Sequence, residues 1–254
     1  MMKEEKDLPM ELIWAWCVVA LGWFWGGLVS GICGVGAVMV AMPLATFVVT
    51  SSESILLSSL VGMYSSIHMG VAYRHSCVWS DIRPLVAGVV PGCVLGVLVL
   101  KIAPAQLLQI MISAVLACFV LMQAFRRVTA WTLPESSFLG MVVGVICGFV
   151  SSSVTMVGAP LGIYVLLRRW DPDRARGNMS VFYIFTGVGA VVVQAFAGLY
   201  HLRLFSLALA GIAACAVGQS IGIRLGRHLD QRLFRKILIL FLGASALVLF
   251  VRAL

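Results

Sequence analysis

The stretch Gly31-Ile32-Cys33-Gly34-Val35-Gly36 interrupts an apolar run that is long enough to cross a lipid bilayer. A related stretch, Gly148-Phe149-Val150-Ser151-Ser152-Ser153, interrupts a second run of this kind. Each is followed by a short apolar segment with a proline, Pro43 in the first and Pro160 in the second. Glycine and serine weaken a helix locally and leave some backbone amides without a partner in the helix, so that these amides can bind a polar ligand. We therefore predict two broken helical hairpins whose breaks face each other.

The composition is that of a membrane protein. Of the 254 residues, 61% are hydrophobic and 11% are charged, whereas a soluble domain carries roughly 25% charged residues. Apolar runs recur at about the 20 residues that a helix needs to span the hydrocarbon core, and they do not alternate as the strands of a β-barrel would. We predict an all-α polytopic membrane protein with one membrane domain, in contact with lipid in the bacterial inner (plasma) membrane.

The distribution of charge and the spacing of the cysteines argue against a nucleic-acid-binding protein and against zinc or thioredoxin motifs. The net charge is +8, but the basic residues fall in loops between spans, where orientation signals lie, so no nucleic-acid partner is expected. None of the seven cysteines has the spacing of a zinc or thioredoxin motif. The sequence predicts neither a metal site nor a cofactor.

The second half of the chain repeats the first. Under a shift of 117 residues, the matched pairs include Gly31 with Gly148 and Pro43 with Pro160. Under a shift of 122 residues, they include Cys93 with Cys215 and Gly96 with Gly218. Internal duplication in a membrane protein is typical of transporters. We predict a first repeat at residues 12–127, a linker at 128–136 and a second repeat at 137–254.

Charge also predicts the topology. If the loops 74–83, 126–133, 168–176 and 224–236 all face the cytoplasm, 13 of the 18 Lys and Arg residues lie inside, as the positive-inside rule requires. Corresponding loops of the two halves then lie on opposite sides of the membrane, so the halves are inverted. Each half comprises a broken hairpin and three transmembrane helices, about eight to ten helical segments in all, with both termini outside the cytoplasm.

The two breaks predict a binding site for a small anion. The helices that restart after them point free amides and a partial positive charge at the membrane middle. We assign to this site residues of the breaks and of the helices that follow, and these are Gly31, Cys33, Gly34, Gly36, Pro43, Gly148, Ser151, Ser152, Ser153, Thr155, Gly158 and Pro160. The second break offers hydroxyls and the first mainly bare backbone, so the second is expected to contribute more side-chain contacts. Alternatively, the glycines and serines serve only close helix packing.

Two charged or titratable residues join the predicted site. His68 lies in the middle of the apolar run 55–73 and is either a proton-sensitive ligand or relay, or a neutral histidine bonded to a neighbouring helix. Arg176 belongs to a basic loop that sets topology and that also attracts anions toward a cytoplasmic mouth.

Several motifs share one pattern of turn, proline and charge at fixed offsets. They are Gly31-x-x-Gly34-x-Gly36 with Pro43-Leu44, Ala72-Tyr73-Arg74, Pro91-Gly92-x-x-x-Gly96, Val157-Gly158-Ala159-Pro160-Leu161, Asp171-Pro172, Arg176-Gly177-Asn178 and Gly218-x-x-x-Gly222-x-x-x-Gly226. Over essentially the whole chain after the N-terminal tail, this pattern resembles the TauE/SafE sulfite-exporter family of membrane permeases. The sequence departs from the family pattern at Ala37, Ala72 and Ala159. The resemblance adds Asn178 to the predicted site and implies movement of sulfite, sulfonates or related small organic anions, often coupled to an ion gradient.

The leading prediction is therefore a secondary transporter and not an enzyme. Its substrates would be sulfite, sulfonates, thiosulfate or related organosulfur and carboxylate anions, moved by alternating access around the facing breaks. A proton or sodium ion is the expected coupling ion, and the sequence is compatible with an oligomer. Two alternatives stay open, an intramembrane enzyme that uses His68 with a cysteine and a structural membrane subunit. Bulky replacements at Gly34 and Ser152 would abolish flux only in a transporter.

Overall fold

The computed structural model describes residues 4–33, 36–124, 134, 136–225, 243, 247 and 251. Within these residues the chain is all-helical, as predicted. The α-helices are α1 (Glu4–Cys33), α2 (Ala37–Ala45), α3 (Ser51–Tyr73), α4 (Trp79–Ile102), α5 (Ala105–Ala124), α6 (Ser137–Val154), α7 (Gly158–Leu167), α8 (Pro172–Phe196) and α9 (Leu202–Leu225), with a 3₁₀ turn at Arg74–Ser76. The predicted loop 126–133 and most of the predicted loop 224–236 lie outside the described residues.

Six of the described helices are long and apolar enough to cross a membrane, namely α1, α3, α4, α6, α8 and α9. Two of the others, α2 and α7, are the short second arms of the two broken hairpins. This confirms the prediction of an all-α polytopic membrane protein. The inversion of the two halves and the repeat boundaries stay predictions.

Local sequence signals fix the starts of α3 and α8. Thr50 caps α3 through a reciprocal capping box, in which its hydroxyl accepts from the Glu53 amide at 3.3 Å and the Glu53 carboxylate accepts from the Thr50 amide at 3.1 Å. Asp171 caps α8 by accepting from the Arg174 amide at 3.0 Å, and Pro172 takes the first helical position. Because α8 begins at Pro172, the connection after α7 is shorter than the predicted loop 168–176.

Two helix pairs, α1 with α9 and α4 with α6, pack at very short range because glycines face backbone. A Cβ atom added at Gly31 would collide with the carbonyl oxygen of Gln219, and one added at Gly148 with that of Val89. No side chain fits at either position. Gly31 and Gly148 therefore serve close helix packing, which is the alternative given above for the glycines of the breaks.

The contacts of α4 and α9 correct the proposed register of the repeat. In each pair a glycine faces a carbonyl oxygen, and the contacts are Gly88 with Met141 and Gly92 with Val145 in one pair, and Gly218 with Phe24 and Gly222 with Leu28 in the other. The carbonyl positions differ by 117, as predicted, but the glycine positions differ by 130 and not by 122. The matches of Cys93 with Cys215 and of Gly96 with Gly218 are therefore wrong.

The physical reason is the spacing of the glycines. The two shifts, 130 and 122, differ by eight residues, which is twice the four-residue spacing of Gly88, Gly92 and Gly96. A glycine at every fourth position matches itself after a slip of four or eight residues. Only the facing helix decides which match is real.

Candidate functional site

The first hairpin breaks where it was predicted, but over a shorter stretch. Helix α1 continues through Gly31 to Cys33, and α2 begins at Ala37. Between them Gly36 adopts a left-handed backbone conformation with φ of 106°, which glycine reaches without the steric cost that a Cβ atom imposes. Gly34 and the side chain of Cys33 lie outside what the structure describes.

The second hairpin breaks later than predicted. Helix α6 continues through the serine run to Val154, and the break comprises residues 155–157. The predicted break at Gly148–Ser153 is wrong because the hydroxyls of Ser152 and Ser153 reach back to the preceding turn. The Ser152 hydroxyl shares its one hydrogen between the Gly148 carbonyl at 3.0 Å and the Cys93 carbonyl of α4, and Ser153 donates to the Phe149 carbonyl at 2.6 Å. Serine in this arrangement is compatible with a continuous helix.

Thr155 forms the turn of the second break. Its backbone has φ of 60° and ψ of 18°, the left-handed conformation that a β-branched residue rarely adopts. Its hydroxyl donates to the Ile55 carbonyl at 3.2 Å and lies 3.4 Å from the Ser59 hydroxyl. These two contacts fix the second break to the N-terminal half of α3.

A cavity of about 90 Å³ lies between the two breaks. Four of the predicted site residues line it, and these are Gly36, Ser151, Thr155 and Gly158. Further hydroxyls come from helices that the sequence did not assign to the site, and these are Ser30 on α1, Ser59, Ser65 and Ser66 on α3, and Tyr183 and Thr186 on α8. No Lys, Arg, Asp or Glu is among the described residues that line the cavity.

Two helix N-termini reach this cavity without a side-chain cap. Gly36 precedes α2 and Val157 precedes α7, and neither supplies a side-chain hydrogen bond to the helix end. Amides in the first turn of a helix have no partner within that helix, and the helix dipole is positive at this end. Both ends thus offer donors and a partial positive charge to a ligand in the cavity.

Among the described residues of the predicted breaks and of the helices that follow, Ser152, Ser153, Pro43 and Pro160 do not line the cavity. Ser152 donates to the Cys93 carbonyl of α4 at 2.9 Å, and the hydroxyl of Ser153 turns back onto its own helix. Pro43 and Pro160 lie within α2 and α7. Ser151, which does line the cavity, donates to the Thr186 carbonyl at 3.0 Å. Since α1, α3 and α8 supply hydroxyls as well, the expected excess of side-chain contacts at the second break stays a prediction.

His68 is bonded to a neighbouring helix. Its Nδ1 lies 3.1 Å from Oε1 of Gln219 on α9, and its ring stacks on that of Tyr64. It does not line the cavity, but Gln219 connects it to Ser65 and Ser30, which do. The Ser65 hydroxyl is also hydrogen-bonded to the Cys215 thiol. Among the described residues, however, the ring of His68 bonds to no cysteine, which is the direct pairing that the enzyme alternative requires.

Asn178 and Arg176 do not line the cavity, and they fasten α8 to the start of α4 and the end of α3. The amide oxygen of Asn178 accepts from the Val78 amide at 2.7 Å, and its nitrogen donates to Asp81 at 2.8 Å. Arg174 donates twice to the same Asp81 carboxylate, each time at 2.7 Å. The Arg176 guanidinium lies over the Tyr73 ring, 5.5 Å from its centroid. These contacts support a structural role for both predicted residues.

The spacing of the serines on α3 is a sequence signal for some of the cavity residues that were not predicted. Ser59 and Ser66 are seven residues apart on α3, and so are Ser58 and Ser65, which places each pair on one face of the helix. Tyr183 and Thr186 on α8 have no such local signal, because they reach the cavity only through the packing of α8 against α3.

These features define the class of the protein, an integral multi-pass membrane protein with a small polar cavity between two broken helices. The family model described as sulfite exporter TauE/SafE matches residues 19–249. The chain belongs to this family, whose members are membrane permeases and not enzymes, and this confirms the resemblance found in the sequence. No curated protein and no solved structure matches the chain.

Proposed function

We propose that the chain is a secondary transporter that carries small anions by alternating access around the cavity between its two breaks. The observation that carries this proposal is the pair of uncapped helix N-termini, those of α2 and α7, at one cavity with hydroxyl groups around it. Such donors suit sulfite, sulfonates, thiosulfate or related carboxylates, whose several oxygens accept hydrogen bonds. The proposed location is the bacterial inner membrane, with both termini outside the cytoplasm.

The size and charge of the cavity support small substrates. A volume of about 90 Å³ holds several water molecules, since one water needs about 10–15 Å³ on this measure, and it therefore suits a small oxyanion. No basic side chain lines the cavity among the described residues. An ion in such a place is costly unless its charge is offset, so a proton or sodium ion moving with the anion would lower the barrier.

The helix pairs support a rocking movement. Glycines bind α1 tightly to α9 and α4 tightly to α6, so each pair moves as a unit. Each pair also joins one helix from before the linker to one from after it, and the cavity lies between the pairs at the ends of α1 and α6. A relative rotation of the two units opens the cavity first to one side of the membrane and then to the other.

Flux in proteoliposomes tests the proposal. Sulfite, thiosulfate, sulfoacetate and taurine are offered to purified protein, and saturable, mutually competing uptake is expected. Ser66→Phe puts a ring into the cavity, whereas Ile67→Phe puts the same ring on the outer face of α3, where Ile67 is 40% exposed. The first variant should insert normally and lose uptake, and the second should keep it. If no anion moves, or if both variants transport equally, the proposal is refuted.

The structure shows that a bulky replacement of Ser152 does not distinguish a transporter from a structural subunit. Ser152 bonds to the backbone of α4, so a bulky residue there disturbs helix packing in a transporter and in a structural subunit alike. Ser66 replaces it as the informative position because its side chain borders open space.

A further inference from the structure

A polar cluster of four residues lies at and behind the cavity wall formed by α1 and α3. His68 Nδ1 is 3.1 Å from Gln219 Oε1. The Gln219 amide nitrogen is 3.2 Å from the Ser65 hydroxyl and 3.5 Å from the Ser30 hydroxyl. Gln219 is fully buried, and Ser30 and Ser65 are only 3% and 5% exposed. Both serines line the cavity, whereas Gln219 and His68 lie behind them.

Hydrogen-bond chemistry fixes the direction of this chain of contacts. An amide oxygen can only accept, so Nδ1 of His68 carries the hydrogen in this arrangement. The NH₂ group of Gln219 then has one hydrogen for each serine, and both serine oxygens act as acceptors. The hydroxyl hydrogens of the serines are left to point elsewhere. Among the described residues the Ser30 hydroxyl has no acceptor, whereas the Ser65 hydroxyl is hydrogen-bonded to the Cys215 thiol.

Another helix that lines the cavity also carries an unused donor. Tyr183 on α8 lines the cavity, and its buried hydroxyl has no hydrogen-bond partner within the described part of the chain. Buried polar groups without partners are rare because each costs free energy. The unused hydroxyls of Ser30 and Tyr183, on two helices that line one cavity, indicate a ligand that accepts hydrogen bonds from both.

We propose that Gln219 is a positioning residue which, held by His68 and Ser65, makes the hydroxyl of Ser30 donate to the oxygen atoms of a bound anion. This inference rests on the proposed function. While Nδ1 of His68 donates to the amide oxygen of Gln219, the NH₂ group of Gln219 stays turned toward the serines, and the Ser30 hydrogen is left to point into the cavity.

A matched pair of glutamine variants tests the positioning role. Gln219→Met removes both amide donors at nearly constant volume. Gln194→Met is the control, because Gln194 is also fully buried but bonds to the Ser152 carbonyl and to Tyr200 outside the cavity wall. Both changes should lower thermal stability. Only Gln219→Met should raise the KM for sulfite, by about five-fold for one weakened hydrogen bond from Ser30, with the maximal rate little changed.

A histidine variant tests the contact that holds Gln219. His68→Gln can still donate to Gln219, so its KM for sulfite should stay near that of the wild type. An unchanged KM in Gln219→Met overturns this inference while transport itself stands. Absence of sulfite, sulfonate or thiosulfate flux by the wild type overturns the proposed function and this inference together.

Discussion

Substitutions of Thr155 can separate the free-energy cost of its left-handed backbone from the role of its hydroxyl group. Three replacements serve this purpose. Thr155→Ser keeps the hydroxyl, Thr155→Ala removes it but keeps a Cβ atom, and Thr155→Gly removes both. A residue with a Cβ atom costs about 1–2 kcal/mol more than glycine in the left-handed region. The bond from the Thr155 hydroxyl to the Ile55 carbonyl, 3.2 Å long, contributes about 0.5–1.5 kcal/mol net.

The magnitudes predict a difference between the two variants in stability but not in transport. Alanine and glycine lose the same hydrogen bond, but only glycine relieves the strain, so Thr155→Gly should be more stable than Thr155→Ala by about 1 kcal/mol. For a chain of this size that corresponds to roughly 2–4 °C in melting temperature. Both should raise the KM for sulfite by about five-fold, because both lose the bond to Ile55, worth about 1 kcal/mol, that holds the second break at the cavity. Thr155→Ser should transport nearly as the wild type does.

Two assays check this prediction independently. Melting temperatures in detergent report the strain, and initial uptake rates in proteoliposomes report the hydroxyl. Equal melting temperatures for the alanine and glycine variants would show that the backbone at this position is not strained. A KM for Thr155→Ser as high as that for Thr155→Ala would show that the hydroxyl has no part in the site.

The other predictions concern packing and the loop between α3 and α4. Gly144→Ala should lower the melting temperature far more than Gly187→Ala, because a Cβ atom at Gly144 meets the Leu85 carbonyl whereas one at Gly187 lies 3.3 Å from its nearest neighbour atom. Burial and, to a lesser extent, the Asp81 carboxylate raise the pKa of the Cys77 thiol, so Asp81→Asn should lower that pKa and speed maleimide labelling of a single-cysteine variant retaining Cys77 at neutral pH. In the same variant, an impermeant maleimide should reach Cys77 in inverted vesicles and not in intact cells, and labelling in intact cells would refute the proposed topology.

Composition and local pattern were sufficient to predict the helical membrane fold and the existence of two breaks. The sequence also assigned Gly36, Ser151, Thr155 and Gly158 to the site, and these line the cavity. It could not place the second break, because whether serine ends a helix or bonds back to it depends on the carbonyls and helices nearby. The register of the repeat was equally out of reach, since a four-residue glycine spacing is ambiguous until the facing helix is known.

The walls of the cavity show a second limit of sequence reasoning. Glycine and serine around a break are local signals, but most hydroxyls of the cavity come from the middle of α3 and α8, which contact the breaks only in three dimensions. Ser30 illustrates this well. It precedes the first predicted break by one residue, yet its importance depends on Gln219, which lies 189 positions further along the chain.

The distribution of helix caps argues that the unused amides of α2 and α7 belong to a binding site. Helices α3, α6 and α8 begin with Thr50, Ser136 and Asp171 as side-chain caps. Helix α4 lacks such a cap, but Trp79 at its start is 52% exposed, so water is available to its amides. Helices α2 and α7 begin inside the bundle, where the membrane supplies no water and an unpaired amide costs the most free energy. Two uncapped starts that share one cavity are therefore best explained by a ligand, or water that a ligand displaces, as the missing cap.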